Sequence, residues 1–446
     1  MVSNNTRVFD RDKSHQPLLR IFIHSELLRE KILTQDMTVS RLLKLGIFPF
    51  LQVVCSPTDD LALQEKIQEY EGVLQTKYKF YSNNGREFFT IVSRQFERTI
   101  AYGNEETLTK EFHNSNSRRL DFFAGKKFDY FIINSDNPVL KSGKSKGNAL
   151  NPEYSLELIR LLLINNGLFY INKNTTVNEG FYYLYRFKKI FNQYQEAWTI
   201  IVSAYSKLLI TKELFEQFSS LSQRLEFACR SYDKLSFYDL KTANNDTQDN
   251  TLYHFSYFIM LITGIFDDLA WILKHLNQLN LSRMEIGLKI PVNKTSTKFY
   301  NKLKQKNEKL CKYLMMQETQ TQIKLFYPLR DTLQHRQFLR GIKYKNDNEN
   351  IDKNLFIVPE GTVELISSLT NDINEYGVIK VITDYYLDTH VFALKALQVV
   401  AEIVNTTLSL MELDKIKEVL EVTESIKNEK APLEVLFDWD SEPIYF

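Results

Sequence analysis

Between Leu252 and Leu279 the chain runs with a single glycine and no proline, apolar and aromatic over most of its length. That is too long for a strand, so the segment is read as a buried or amphipathic helix. Asp267 and Asp268 lie inside it and argue against a bilayer span. Lys395, Gln398, Glu402 and Asn405 do the same for the second apolar stretch, Val391 to Met411. Helices of this kind recur: Ser155 to Gly167, Phe181 to Tyr194, Trp198 to Ser222 and Leu387 to Leu420 all carry helical spacing. The 31 Phe and 24 Tyr against 14 Gly and 10 Pro describe an aromatic chain with few turns, which excludes disordered and collagen-like classes. At 446 residues it can bury two or three cores.

Residues 1–149 read differently. Pro17 to Leu51 has helical spacing. Tyr78 to Val92 places Asn83-Asn84-Gly85 between two β-prone runs, a hairpin signature, and Phe128 to Asn134 is an apolar run of strand length. Ser135 to Pro152 is rich in Gly, Ser, Lys, Asn and Pro and marks the domain boundary. The expected architecture is therefore mainly α, with a smaller α+β N-terminal domain over 1–149 and a helical region over 150–446. Within that region Lys241 to Thr251 is read as a polar loop. A second long helix is expected to start near Lys298, with Tyr300, Leu303, Leu310, Tyr313 and Leu314 on one apolar stripe, until Pro328 interrupts or restarts it. Asn346 to Asn354 is read as a loop and Glu434 to Glu442 as an acidic surface tail.

Cys55, Cys229 and Cys311 form neither a CxxC pair nor an even disulfide set, which fits a reducing compartment. Met1 is followed by polar residues rather than an apolar leader, so the cytoplasm is the expected location. No metal site is visible: His254 and His275 have no acidic or cysteine partner at ligand spacing and read as core or surface residues. Lys141 to Ser145 has some of the residues of a phosphate loop, but Pro138 stands where the first glycine belongs. Asp129 and Asp136 lack the spacing and the partners of a metal-dependent nuclease.

The informative stretch is Phe326-Tyr-Pro-Leu-Arg330-Asp331-Thr-Leu-Gln-His335-Arg336-Gln-Phe-Leu-Arg340. On a helix Asp331 and His335 share a face with Cβ atoms ~5–6 Å apart, where a carboxylate can orient an imidazole for acid–base work. If Pro328 restarts a helix, Arg330 lies in its first turn, beside N–H groups that favour an anion. Arg336 and Arg340 follow as candidate phosphate contacts, with Lys324 just before; Arg330 or Lys324 is also a candidate partner for Asp267 or Asp268. From Lys294 to Lys345 there are 13 Lys and Arg against Glu308, Glu318 and Asp331, a local net charge of +10 in a chain of net +1. Such concentration is the electrostatic footprint expected for nucleic acid, where the bulk charge predicts none.

Arg330-Asp331-x-x-x-His335 resembles the Arg, polar residue, three residues, His signature of the HEPN superfamily of helical nucleases, and the order of helices over 252–420 is similar to that family's bundle. The resemblance implies a metal-independent endoribonuclease without a cofactor, acting on RNA at a homodimer cleft. His335 would move the proton of the 2′-OH or of the leaving 5′-oxygen, Arg330 would stabilise phosphoryl charge, and Asp331 would orient His335. It also implies a toxin or antiviral abortive-infection setting, with an antitoxin or regulatory partner and no membrane. Some members of that family are not catalytic, so the second reading is a helical module that binds RNA, a nucleotide or a protein.

Overall fold

The computed structural model describes residues 149–413 apart from 173, 174 and 347–350, together with Leu42, Ile416, Glu418 and five earlier strands. Among these, the residues up to Val177 form one compact unit, and those from Asn178 onward, apart from Asn346 and Ile351, form the other.

The first unit is built on a six-stranded sheet. Its strands are β1 (Leu19–Ile23), β2 (Leu51–Cys55), β3 (Thr76–Asn83), β4 (Arg86–Ser93), β5 (Tyr130–Ile132) and β6 (Ala149–Leu150), in the order β3-β4-β2-β1-β5-β6. β2, β1, β5 and β6 run parallel, while β4 is antiparallel to β2. The hairpin read at Asn83 to Gly85 is present, Asn83 pairing with Arg86 across Asn84 and Gly85. The helical reading of Pro17 to Leu51 needs correction at its start. Leu-Arg-Ile-Phe-Ile is a central parallel strand with Ile21 and Ile23 buried, and such strands lose the alternation that marks a strand in sequence. Most of residues 24–50, the Lys141 to Ser145 segment, Asp129, Asp136 and the acidic tail lie outside the described residues. Helix α1 (Pro152–Asn165) begins at Asn151, whose side chain accepts from the Tyr154 N–H at 2.7 Å, with Pro152 in the first turn where a missing N–H costs nothing. A two-stranded ribbon, β7 (Tyr170–Asn172) and β8 (Thr175–Thr176), follows it.

The second unit is helical. It contains α2 (Glu179–Ile190), α3 (Asn192–Ser206), α4 (Lys212–Asp239), α5 (Asn245–Leu276), a 3-10 turn at Arg283–Glu285, and four short helices: α6 (Lys298–Lys306), α7 (Glu308–Leu314), α8 (Gln317–Lys324) and α9 (Tyr327–His335). Strands β9 (Gly341–Asn346) and β10 (Ile351–Ile357) come next, then α10 (Glu360–Leu369), β11 (Val378–Val381), β12 (Asp384–Leu387) and α11 (Thr389–Leu410). The four strands form one sheet in the order β11-β12-β10-β9.

α4 and α5 pack along their lengths as a helical hairpin, and α11 lies against α3, α4 and α5. Phe392 of α11 stands edge-on to Phe255 and Phe326, with centroids 5.8 and 6.1 Å away, and Phe266 lies 5.9 Å from Phe326. All four rings are fully buried, each worth about 1.5–3 kcal/mol of transfer free energy. α5 and α11 are the two described helices long and apolar enough to cross a membrane, and both are mostly buried inside this protein.

Three boundaries differ from the sequence reading. Trp198 to Ser222 is two helices, parted where Leu208 takes a left-handed φ of 57°. α5 starts at Asn245, inside the expected loop, because Asn244 and Thr247 cap it reciprocally, each side chain accepting the other's backbone N–H at 2.9 Å. In the expected loop Asn346 to Asn354, Asn346 ends one strand and Ile351 to Asn354 begin the next, with Leu355 and Phe356 buried just beyond. The stripe from Tyr300 to Leu314 is also cut, at Asn307. Its backbone ends α6, its Oδ1 accepts from Leu310 N–H at 2.9 Å to begin α7, and its Nδ2 donates to the Leu410 carbonyl at 2.8 Å.

Candidate functional site

Pro328 does restart a helix: α9 carries it in the first turn. The N-terminus of α9 is not open to an anion, however. Leu325 and Phe326 are fully buried and Tyr327 nearly so, and Arg330 N–H is already bonded to the Phe326 carbonyl at 3.0 Å. Phe326 and Leu329 anchor the helix in the core, leaving Arg330 and Asp331 half-buried and Gln334, His335 and Arg336 exposed.

Arg330 donates to Asp331 Oδ1 through Nη2 at 2.9 Å and Nε at 3.1 Å, and its guanidinium lies 4.7 Å from the centre of the Tyr327 ring. Lys289 approaches the same ring at 4.0 Å. A buried glutamine puts Lys289 there. Gln320 accepts from Ile290 N–H at 2.9 Å and donates to the carbonyls of Leu288 and Leu314 at 2.9 and 2.7 Å, while Tyr300 donates to the Leu288 carbonyl at 2.6 Å. Burial lowers the Lys289 pKa, and Arg330 and Lys324 push it the same way while Asp331 and Asp267 oppose them. Burial likewise raises the Tyr327 hydroxyl.

On α5, Asp268 is buried and paired with Arg224 of α4 at 2.9 Å, and it accepts from Ser220 Oγ at 2.9 Å. Arg224 points its guanidinium at Gly264, where a Cβ would collide with Nη1. The surrounding protein raises Asp268, with Arg224 and Ser220 acting against the shift. Asp267 keeps solvent contact, yet desolvation raises it too, opposed by Arg330, Arg224 and Lys289. Asp268 is thus paired with Arg224 of α4 rather than with a base from the motif helix, and Arg330 acts on Asp267 only through its charge, its hydrogen bonds going to Asp331.

The sequence-derived residues end up in two groups. Arg330 and Lys289 lie over the Tyr327 ring, with Asp331 bonded to Arg330 and the charge of Lys324 acting on Lys289. His335, Arg336 and Arg340 lie on the exposed run that leaves α9. Asp331 was expected to orient His335, but its carboxylate accepts from Arg330 instead. His254 and His275 are where they were expected, against core and surface rings: His254 stacks on Tyr238 and His275 on Trp271. Burial, with Lys234 adding to it, lowers His254 to about 4.

A second ionic cluster has no signature in the sequence. Lys353 of β10 reaches Asp388 at 2.6 Å and Asp239 at 3.3 Å, and His390 Nδ1 lies 3.4 Å from Asp239. Asp388 also caps α11, accepting from the N–H groups of His390 and Val391. Burial pulls His390 down, but the hydrogen bond and charge of Asp239, with Asp388, outweigh it and leave its pKa raised. Burial raises Asp239, and His390 and Lys353 outweigh that and leave it lowered. Asp239, Asp388 and His390 lie close enough together to ligate a metal ion. The Lys353 ammonium sits between the two carboxylates, so a metal would have to displace it. Nothing in the sequence pointed to this cluster, because Asp239, Lys353 and Asp388 are far apart along the chain.

Comparison with protein-family models, with curated proteins and with solved structures finds no match to this chain.

Proposed function

We propose that the protein is a metal-independent endoribonuclease of HEPN type, with His335 and Arg330 as the reacting pair. The observation that carries this reading is the placement of His335. It is an exposed imidazole on the last turn of a helix whose buried face is fixed by Phe326 and Leu329, five residues from an arginine held against Tyr327. His335 takes the 2′-OH proton, and the 2′-oxygen attacks the adjacent phosphorus. The 5′-oxygen leaves and takes up a proton, giving a 2′,3′-cyclic phosphate and a 5′-OH end. Arg330, released in part from Asp331, neutralises charge on the phosphoryl oxygens. A second copy of the chain presenting the same segment supplies the acid for the leaving oxygen, and a toxin or antiviral role under the control of a partner fits such an activity.

A non-catalytic RNA-binding module is the second reading. It is favoured by the engagement of Arg330 with Asp331 and Tyr327, which can be purely structural.

The experiment is incubation of wild type and His335→Ala with total RNA in EDTA, reading the chemistry of the fragment ends. Cleavage by wild type alone, leaving cyclic or 3′-phosphate ends, is the expected result. Intact RNA with both proteins, together with a monomeric solution mass, moves the assignment to the binding module.

A further inference from the structure

Three exposed aromatic or soft apolar side chains lie on one line of α5. Tyr253, Tyr257 and Met260 are 68%, 42% and 37% exposed and follow helical spacing, on the solvent side of a helix that also exposes Asp246, Asp249 and Asp267 and buries its other faces in the core. The stripe has a defined border on each side. On one flank is α4, held by the stacking of Tyr238 on His254 and by Arg224 over Gly264. On the other flank runs the segment from Gln334 to Gly341. Gln334 Nε2 donates to Met260 Sδ at one end, and at the other the Gln248 side-chain amide lies against Gly341. Twelve residues of helix separate those two attachments, roughly 18 Å.

The bordering segment carries His335, Arg336, Phe338 and Arg340, all exposed, with Phe338 at 70%. From Arg336 to Lys345 it has four cations and no acid. A polyanion laid along the segment would neutralise these charges. Tyr rings flanked by arginines are the composition of a surface on which bases stack while phosphates pair with cations. Asp246 and Asp249, in the first two turns of α5, mark where such a strip ends, and at its other end Gln334 brings the neighbouring His335 to Met260.

We propose that this strip is a binding surface for single-stranded RNA. Bases lie on Tyr253, Tyr257 and Phe338, phosphates pair with Arg336 and Arg340, and the strand is led to His335. The direction of the strand rests on the cleavage reading above, while the binding does not. An unpaired strand is specified because stacked, paired bases offer no free faces to the rings.

The test uses the His335→Ala protein, which leaves substrate intact, and a fluorescein-labelled 12-nucleotide oligouridine read by anisotropy, with an RNA hairpin of equal phosphate number as comparison. Tyr253→Leu/Tyr257→Leu is expected to weaken oligouridine binding roughly 10- to 100-fold without changing the dependence on salt. Tyr253→Phe/Tyr257→Phe is expected to bind as the parent does. Arg336→Gln/Arg340→Gln is expected to flatten the salt dependence, as loss of phosphate contacts requires. Circular dichroism and thermal melting check that each variant is folded. The proposal is overturned if the leucine variant binds as tightly as the parent, or if the hairpin binds as well as the single strand. It is equally overturned if the leucine variant only turns a dimer into a monomer while holding RNA unchanged, which would make the stripe a self-association face. Binding as expected without cleavage by wild type would sink the nuclease reading and leave this one standing.

Discussion

Arg330 and Asp331 are adjacent in the chain and bonded to each other through two N–H groups, at 2.9 and 3.1 Å. Asp331 therefore restrains the arginine rather than the histidine. In the proposed reaction Arg330→Ala is expected to lower kcat by about 10²–10³, the usual effect of removing a group that stabilises transition-state charge. Asp331→Asn should change kcat less than about tenfold, since no proton passes through it. Single-turnover cleavage of one RNA by both variants checks this, and equal losses would place Asp331 in direct support of His335.

Two histidines set opposite limits on stability. His254, held at about 4 against about 6.5 when unfolded, contributes stability that is present above pH ~6.5 and lost as pH falls toward 4. His390 is raised, so its contribution is full below pH ~6.5 and fades as pH rises through its folded value. Thermal melting across pH 4–9 should peak near the crossover. His390→Gln should remove the decline on the alkaline side and leave the acid side in place, while His254→Gln should do the reverse.

Gly264 gives Arg224 the room to reach Asp268. Gly264→Ala gains up to about 1 kcal/mol of helix propensity but displaces the guanidinium and strands a buried carboxylate, so a net loss of about 1–2 kcal/mol is expected. In an Arg224→Met background the same change should be neutral or stabilising. Urea unfolding of the four proteins forms the cycle, and simple additivity would show that the two residues do not interact.

Gln320→Leu removes the partner of the Ile290 N–H and of the Leu288 and Leu314 carbonyls inside the core. A cost of about 2–4 kcal/mol is expected, at the upper end because several buried groups are orphaned together. Urea unfolding measures the loss, and a cost below about 1 kcal/mol would show that the three backbone groups find other partners.

The readable parts of this chain were those where one face repeats. α5 and α11 showed their apolar stripes because a long core helix must bury one. The restart at Pro328 was legible because a proline has one stable place in a helix. What escaped were positions whose role depends on a distant partner. Asn244 and Thr247 look like two more polar residues in a polar run until they cap each other. Asn307 ends one helix, starts the next and holds the end of α11, which spacing alone cannot distinguish from a continuous stripe. Asp239, Lys353 and His390 meet only because α4, β10 and α11 converge. The orientation expected of Asp331 failed for a local reason: a long, flexible arginine next door reached it first.

The run from Gln334 to Gly341 is held at both ends, by the bond of Gln334 to Met260 of α5 and by the Arg340 carbonyl, which accepts from Ile357 N–H at 2.8 Å where the sheet begins. An untethered stretch would surrender ~1–2 kcal/mol of backbone freedom per residue on gripping a ligand. Here that loss belongs to the folding of the protein and is complete before any ligand arrives. A preorganised surface of this kind binds with a modest entropic penalty, and lengthening the run by a few glycines would weaken binding without removing a single contact.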